Sequence, residues 1–287
     1  MKKIFKYSLV VLMMAIVAGC GKQASDSNKV KIVSSIGTYE DIAKNIVKDH
    51  GDVTAIIRSS NVDPHDFNSD TNTAKSVANA DIVIANGLGY DDWMLKLKSD
   101  KSLINVSEDV AKLKDGQNEH VWFDVHYMKD LVKEITKEAS SQDKKHAADF
   151  KKNETKYLAK LRNLENQEAT LKKSLNGKKA YISEPVFSYL LKDVGVSVEN
   201  AKFAKAIEDG IDPSVSDMKD MENGLQNHEV DFLVVNKQVK SNVVNKIKKV
   251  AQDNNVPIIY VTETLPAKTS YVEWINGYLK DLAEISK

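Results

Sequence analysis

DKKHAADFKKNETKYLAKLRNLENQEATLKKSL, residues 143–175, decides the fold. Apolar residues return every seven positions at Phe150, Tyr157, Leu164 and Leu171. A second row runs Ala147, Leu161 and Leu175, interrupted by Glu154 and Glu168. Two neighbouring rows at sevenfold spacing make one face of a helix. The remaining positions are mostly lysine, glutamate and asparagine, and are expected to meet water. No glycine or proline occurs from Gln117 to Asn176. A helix over 143–175 is a rod of roughly 50 Å, longer than one small lobe needs. An α/β pattern precedes it and another follows, so the rod is read as joining two lobes and packing along both. A coiled-coil arm is the alternative, weakened by the short run and by the two glutamates in the stripe.

Working outward, the strand-like runs KVKIVSSI, VTAIIRSS, DIVIANG and SLINV lie before the rod, with helical patterns between them. Asp70 is placed to cap the helix through Ala74 and Val77. After HVWFDVHYM a helix is expected from about Met128 to Ala139, then a turn at 140–143. Beyond Gly177 come KKAYISE, VDFLVVN and VPIIYV, with a helix over 243–250 and a closing helix over 271–285. Strands alternating with helices predict mostly parallel sheets flanked by helices. The expected fold class is therefore α/β, two such lobes joined by one long central helix. Boundaries follow: 30–126 the amino-terminal lobe, 127–176 the connecting helices, 177–287 the carboxy-terminal lobe.

The first residues are basic at Lys2, Lys3 and Lys6, then apolar from Ser8 to Ala18, then Gly19-Cys20. That is a secretory signal over 1–19, too short to span a bilayer as a mature helix. VAGC resembles the lipobox of bacterial lipoproteins, which implies lipid on Cys20 and a membrane-anchored protein on the extracytoplasmic face. Cys20 is the only cysteine, so no internal disulfide forms. Residues 20–29 are small and polar and read as a tether. The full chain balances 41 basic against 41 acidic residues. Losing the leader removes three lysines and no acid, which excludes the concentrated basic face that nucleic acid requires.

Four candidate metal ligands sit at strand ends. His65 lies in NVDPHDF after the second strand, and His120 precedes the central helices. Glu184 ends AYISE, and Glu263 follows PIIYV. In parallel α/β lobes the strand carboxyl ends form one rim where ligands bind. Two neutral imidazoles and two carboxylates balance a divalent cation and suit first-row metals better than calcium. Each residue also has a plainer reading: a loop histidine is usually a surface group, and a glutamate before proline an acidic helix start. His50, His146 and His228 are expected to be solvated, and His126, at the helix entry after HVWFD, is not expected to be a ligand. Asp63, Asp66 and Asp124 are expected to orient the imidazoles as acceptors, with capping and turn formation the equally simple reading for Asp63 and Asp66. Trp122, Phe123, Tyr181, Phe187 and Tyr189 are expected to pack.

VDPHDF, EHVWFDV, ISEPVF and VTETLP resemble four motifs of the zinc/manganese substrate-binding lipoproteins of ABC importers, the cluster A-I family, over essentially the whole mature chain. The resemblance implies that His65, His120, Glu184 and Glu263 bind one manganese or zinc ion as transported ligand. The third ligand is a histidine in many zinc members and a glutamate in many manganese members; here it is Glu184. The fourth is usually an aspartate after a threonine; here the pair is Thr262-Glu263, with Asp209 or Asp212 as alternatives. Zinc members often carry a histidine-rich loop before the second ligand, whereas AKLKDGQNEH holds only His120. That and the two carboxylates lean to manganese, with zinc second. A permease and its ATPase are the implied partners, and the receptor is expected to be a monomer. A surface adhesin and a zinc-dependent hydrolase are the rival classes. The second needs an open coordination position and a general base, and no HExxH, GxSxG or Walker motif occurs.

Overall fold

A computed structural model describes residues 29–58, 62, 67–97 and 102–286. The leader, Cys20 and His65 lie outside the described residues, as do Asp63 and Asp66. The first sheet contains β1 (Val30–Ile36), β2 (Gly51–Ile57), β3 (Ile82–Ala85) and β4 (Ser102–Asn105). Its order is β2-β1-β3-β4, all parallel, with Val30 opposite Gly51 and Ile32 opposite Ile82. The second contains β5 (Lys179–Ile182), β6 (Ser197–Val198), β7 (Phe232–Asn236) and β8 (Ile258–Val261). Its order, β6-β5-β7-β8, repeats the first, with Ala180 opposite Phe232 and Leu233 opposite Ile258. Of the inner strands, β3 and β7 are buried at every position. Parallel strands covered on both faces lose the alternation of half-exposed ones, which is why IVIA and FLVVN read as unbroken apolar runs.

The crossovers are α1 (Gly37–Val47), α2 (Thr71–Ala78) and α3 (Asp92–Leu97) in the first lobe. The second has α6 (Ser188–Asp193), α7 (Ala201–Glu208), α8 (Val215–Gln226), α9 (Asn242–Asp253) and the closing α10 (Tyr271–Ile285). Between the lobes run α4 (Val125–Gln142) and α5 (Ala147–Leu175). Asp70 caps α2 by accepting from the Thr73 amide at 2.7 Å, as its position predicted.

The rod starts four residues later than the periodicity suggested. Asp143 Oδ1 accepts from the amides of Lys145 and His146 at 3.1 and 3.3 Å, so the chain turns there before α5 begins. Its 29 residues make a rod of about 44 Å. The turn expected at 140–143 is shorter, because α4 continues to Gln142. Phe150, Tyr157, Leu161, Leu164, Leu171 and Leu175 are buried, and so are the stripe-breaking Glu154 and Glu168. α5 packs on α1 and α4 of one lobe and on α6 and α10 of the other. One hydrophobic core accordingly extends from Val30 through Phe123 and Leu164 to Leu282.

Trp122 and Phe123 are fully buried at the seam. Phe123 meets Phe187 edge-on at 5.3 Å and lies tilted against Trp274 at 5.1 Å. The closing helix reaches back to the first lobe, where Tyr271 donates to the Trp122 carbonyl at 2.8 Å.

Candidate metal centre

Identical strand orders bring the two sheets' carboxyl ends to one cleft of about 1260 Å³, lined in part by Glu119, Glu184, Lys205, Glu208, Asn236 and Glu263. Each chemical group reaches it from a strand end or a capping turn, where the backbone leaves the ladder and side chains point past the sheet.

His120 precedes a short turn of 3₁₀ helix over Val121–Phe123 and is 1% exposed. Asn118 Oδ1 accepts from the His120 amide at 2.9 Å and lies 2.8 Å from His120 Nδ1. An acceptor there sets the ring proton on Nδ1 and leaves Nε2 as the basic, ligating nitrogen. The Asn118 amide donates to the Pro185 carbonyl at 2.9 Å, and the Tyr189 hydroxyl donates to the Asn118 carbonyl at 2.7 Å. One asparagine thus holds the histidine ring and anchors it to the turn that carries Glu184.

Glu184 follows β5. Asn236, at the end of β7, donates to its Oε2 at 2.7 Å. β5 and β7 flank the point where strand order reverses, the position at which open α/β sheets leave a crevice. Glu263 follows β8 and is buried. Its Oε1 accepts from the Tyr90 hydroxyl at 2.9 Å, and its amide donates to Gln238 Oε1 at 2.8 Å. The Tyr90 ring lies 6.2 Å from that of His120. Burial first, then the neighbouring Glu263 carboxylate, raises the Tyr90 phenol well above its ordinary range, so it acts as a hydrogen-bond donor.

Two further carboxylates enter the cleft. Donor atoms of Glu119, His120 and Glu208 all lie within 4.8 Å of one another. Glu208 Oε1 is 3.7 Å from His120 Nδ1, and Lys205 donates to Glu208 Oε2 at 2.8 Å. Burial pushes the Glu119 carboxyl up, opposed by a backbone hydrogen bond and by the Lys205 charge. Sequence reading passed over both glutamates. Glu119 stood beside His120 in NEHVWF. Glu208 ends α7, a helix signalled only by Phe203, Ala204 and Ile207 before Gly210. An array of one imidazole and several carboxylate oxygens suits a divalent cation.

Of the four sequence candidates, His120, Glu184 and Glu263 come to this cleft region, and His65 is outside the described residues. Asp209 and Asp212 are on the exposed rim, where Asp209 Oδ1 accepts from Lys205 at 2.7 Å. Asp124 caps α4, accepting from the amides of His126 and Tyr127 at 2.8 and 3.1 Å. His228 is exposed, as expected, and His126 is exposed as well. His50 and His146 depart from the solvated expectation. Their rings stack at 3.8 Å and 10°, because the Asp143 turn lays His146 over the end of α1.

The architecture is that of a two-lobed α/β protein with a cleft at the strand ends. The family described as zinc-uptake complex component A, periplasmic (ZnuA), matches residues 32–285, and the chain belongs to it. The manganese-binding lipoprotein MntA of Halalkalibacterium halodurans is 30% identical over 177 residues, 58% of either chain. This match therefore spans less than two thirds of that relative's length. The manganese ABC transporter substrate-binding lipoprotein PsaA of Streptococcus mitis is 27% identical over 281 residues, 90% of this chain and 88% of that one. The periplasmic zinc-binding protein TroA of Treponema pallidum shares the fold with a TM-score of 0.75 at 20% identity, over 90% of this chain and 99% of that one.

Proposed function

We propose that the chain is an extracytoplasmic receptor that binds one divalent manganese or zinc ion and delivers it to an ABC permease driven by its ATPase. The ion is cargo, and no covalent chemistry is performed on it. The observation that supports this reading is that Glu184 and Glu263 line one cleft with Glu119 and Glu208, whose donor atoms lie within 4.8 Å of a donor atom of His120. His65, from the VDPHDF motif, is assigned as the remaining ligand. Carboxylate-rich coordination favours manganese, while zinc retains the higher intrinsic affinity at nitrogen/oxygen sites. Relatives named for each metal are consistent with both.

Cys20 is assigned as the lipid attachment point, supported by the VAGC motif and by relatives described as lipoproteins. Among the described residues no helix is long and apolar enough to cross a membrane. The protein is assigned as a monomer. A mostly polar cleft with carboxylates on both walls favours an ion receptor over the adhesin and hydrolase alternatives.

Titrating metal-stripped protein with manganese and zinc chlorides tests the site. One ion per chain is expected, with affinity sharply reduced in His65→Ala, His120→Ala, Glu184→Gln and Glu263→Gln. Unchanged affinity in all four variants overturns the reading. Loss of the ion on acidification is expected as well, because imidazole must be neutral and carboxylate ionised to bind.

A further inference from the structure

Lys205 and Glu208 lie one helical turn apart at the end of α7 and line the cleft together. The Lys205 ammonium donates to Glu208 Oε2 at 2.8 Å and to Asp209 Oδ1 at 2.7 Å. Donor atoms of Glu208, Glu119 and His120 lie within 4.8 Å of one another; the other Glu208 oxygen is 3.7 Å from His120 Nδ1, so it has to swing toward the Nε2 side of the ring to meet the ion. The Glu208 side chain is 8% exposed, whereas that of Lys205 is 58% exposed. The carboxylate is therefore buried beside the imidazole, while the ammonium approaches it from water.

We propose that Glu208 is an additional ligand of the cargo ion, and that Lys205 is its counter-cation while the ion is absent. On loading, the carboxylate exchanges the ammonium for the metal; on release it returns to the ammonium. This rests on the reading of the cleft as a metal site. The carboxylates of Glu119, Glu184, Glu208 and Glu263 share the cleft and repel one another when no cation is bound. A lysine tethered three residues away supplies a single positive charge that balances part of that repulsion and hydrates readily when displaced. The exchange keeps the ion-free cleft folded and lowers the affinity that release must overcome. An extra oxygen donor also raises the available coordination number, which favours an octahedral manganese ion over a tetrahedral zinc ion.

The two side chains therefore have opposite effects on the ion. Glu208→Gln should weaken manganese binding by about 10- to 100-fold, and zinc binding by less. Lys205→Met should strengthen manganese binding by about threefold to tenfold at low salt, less at high salt. In Glu208→Gln/Lys205→Met the gain from the lysine change should shrink, since its partner carboxylate is gone. Calorimetric titration with manganese chloride, and competition with zinc chloride, read these changes in the metal-stripped full chain. Glu184→Gln is titrated alongside. Cobalt(II) absorption separates a ligand from a merely supporting residue, because losing a ligand alters band position and intensity. Should Glu208→Gln fold poorly by thermal unfolding, Glu208→Asp takes its place, with an intermediate loss expected.

Wild-type manganese affinity in Glu208→Gln, weaker binding in Lys205→Met, or an unaltered cobalt spectrum overturns the proposal. If Glu184→Gln loses binding while Glu208→Gln does not, the metal-centre reading stands and this inference alone falls. If Glu184→Gln also binds normally, both fall.

Discussion

Tyr90 donates its phenolic hydrogen to Glu263 Oε1 over 2.9 Å, although 173 residues separate them in the chain. Tyr90 belongs to the turn after β3, held by Asp91, whose carboxylate accepts the amides of Asn86 and Gly87 at 2.6 and 2.9 Å. Glu263 belongs to the loop after β8. The bond therefore ties the strand ends of one sheet to those of the other, inside the cleft, at a fully buried phenol. Tyr90→Phe removes the donor and leaves the carboxylate short of one hydrogen bond. A loss of about 1.5–3 kcal/mol in stability is expected. Manganese affinity should fall roughly tenfold or more as Glu263 loses its orientation. Urea unfolding and calorimetric titration read the two effects.

A second tie lies far from the ion. Asp41 on α1 accepts the Tyr271 amide at 3.0 Å, at the start of α10, and the Tyr157 hydroxyl on α5 at 3.5 Å. A carboxylate at a helix start satisfies an orphan amide and opposes the positive end of the helix dipole. Asp41→Ala should cost about 1–3 kcal/mol, and Asp41→Asn less, because its amide oxygen still accepts. Metal affinity should change little in either variant. Urea denaturation of the ion-free chain, with titration as control, distinguishes this seam from the cleft.

Glu168 sets a pH dependence. Burial first, then the charges of Asp193, Asp124 and Glu165, push its carboxyl from the ordinary 4.5 up to about 8. Burial and Asp124 raise Asp193 to about 6. A raised carboxyl keeps its proton in the folded chain where the unfolded chain has lost it. Folding is then most favoured below about pH 4.5 as far as Glu168 is concerned, and its contribution is lost as pH rises to about 8. Glu168→Gln should flatten that slope. At pH 9 it should stabilise the ion-free protein by something on the order of 2–4 kcal/mol. Thermal unfolding from pH 5 to 9 in chelator checks the sign; a steeper slope in the variant contradicts it.

Loading should leave the molecular envelope almost unchanged. α5 packs on helices of both lobes, and a single core runs through the seam, so wide domain closure would have to break buried apolar contacts. Solution scattering with and without manganese chloride should return the same radius of gyration within error. The ordering effect of the ion should appear instead in hydrogen exchange of the loops around Glu184, Asp209 and Glu263. Leu164→Ala, at a 1% exposed position of the seam, should cost about 2–5 kcal/mol.

The sequence by itself determined the class of fold. Unbroken β-branched runs mark buried parallel strands, and a sevenfold stripe free of glycine and proline marks the rod. Both are local consequences of side-chain periodicity. Strand-end positions also pointed to Glu184 and Glu263, because loops after parallel strands share one rim, whereas His120 was singled out by its place before the central helices and by the EHVWFDV motif. The helix α7 was not legible: one buried phenylalanine and a few small residues carry too little periodic signal, so Glu208 at its end went unnoticed. Periodicity likewise gave Glu154 and Glu168 as breaks in an apolar stripe, and only packing on α5 revealed them as buried carboxylates. What the tertiary structure alone decided is which distant groups meet: Asn118 with Pro185, Tyr90 with Glu263, His120 with Glu208. Those pairings depend on how two sheets face each other across a shared helix, a global geometry set by the sum of apolar contacts rather than by any residue's immediate neighbours in the chain.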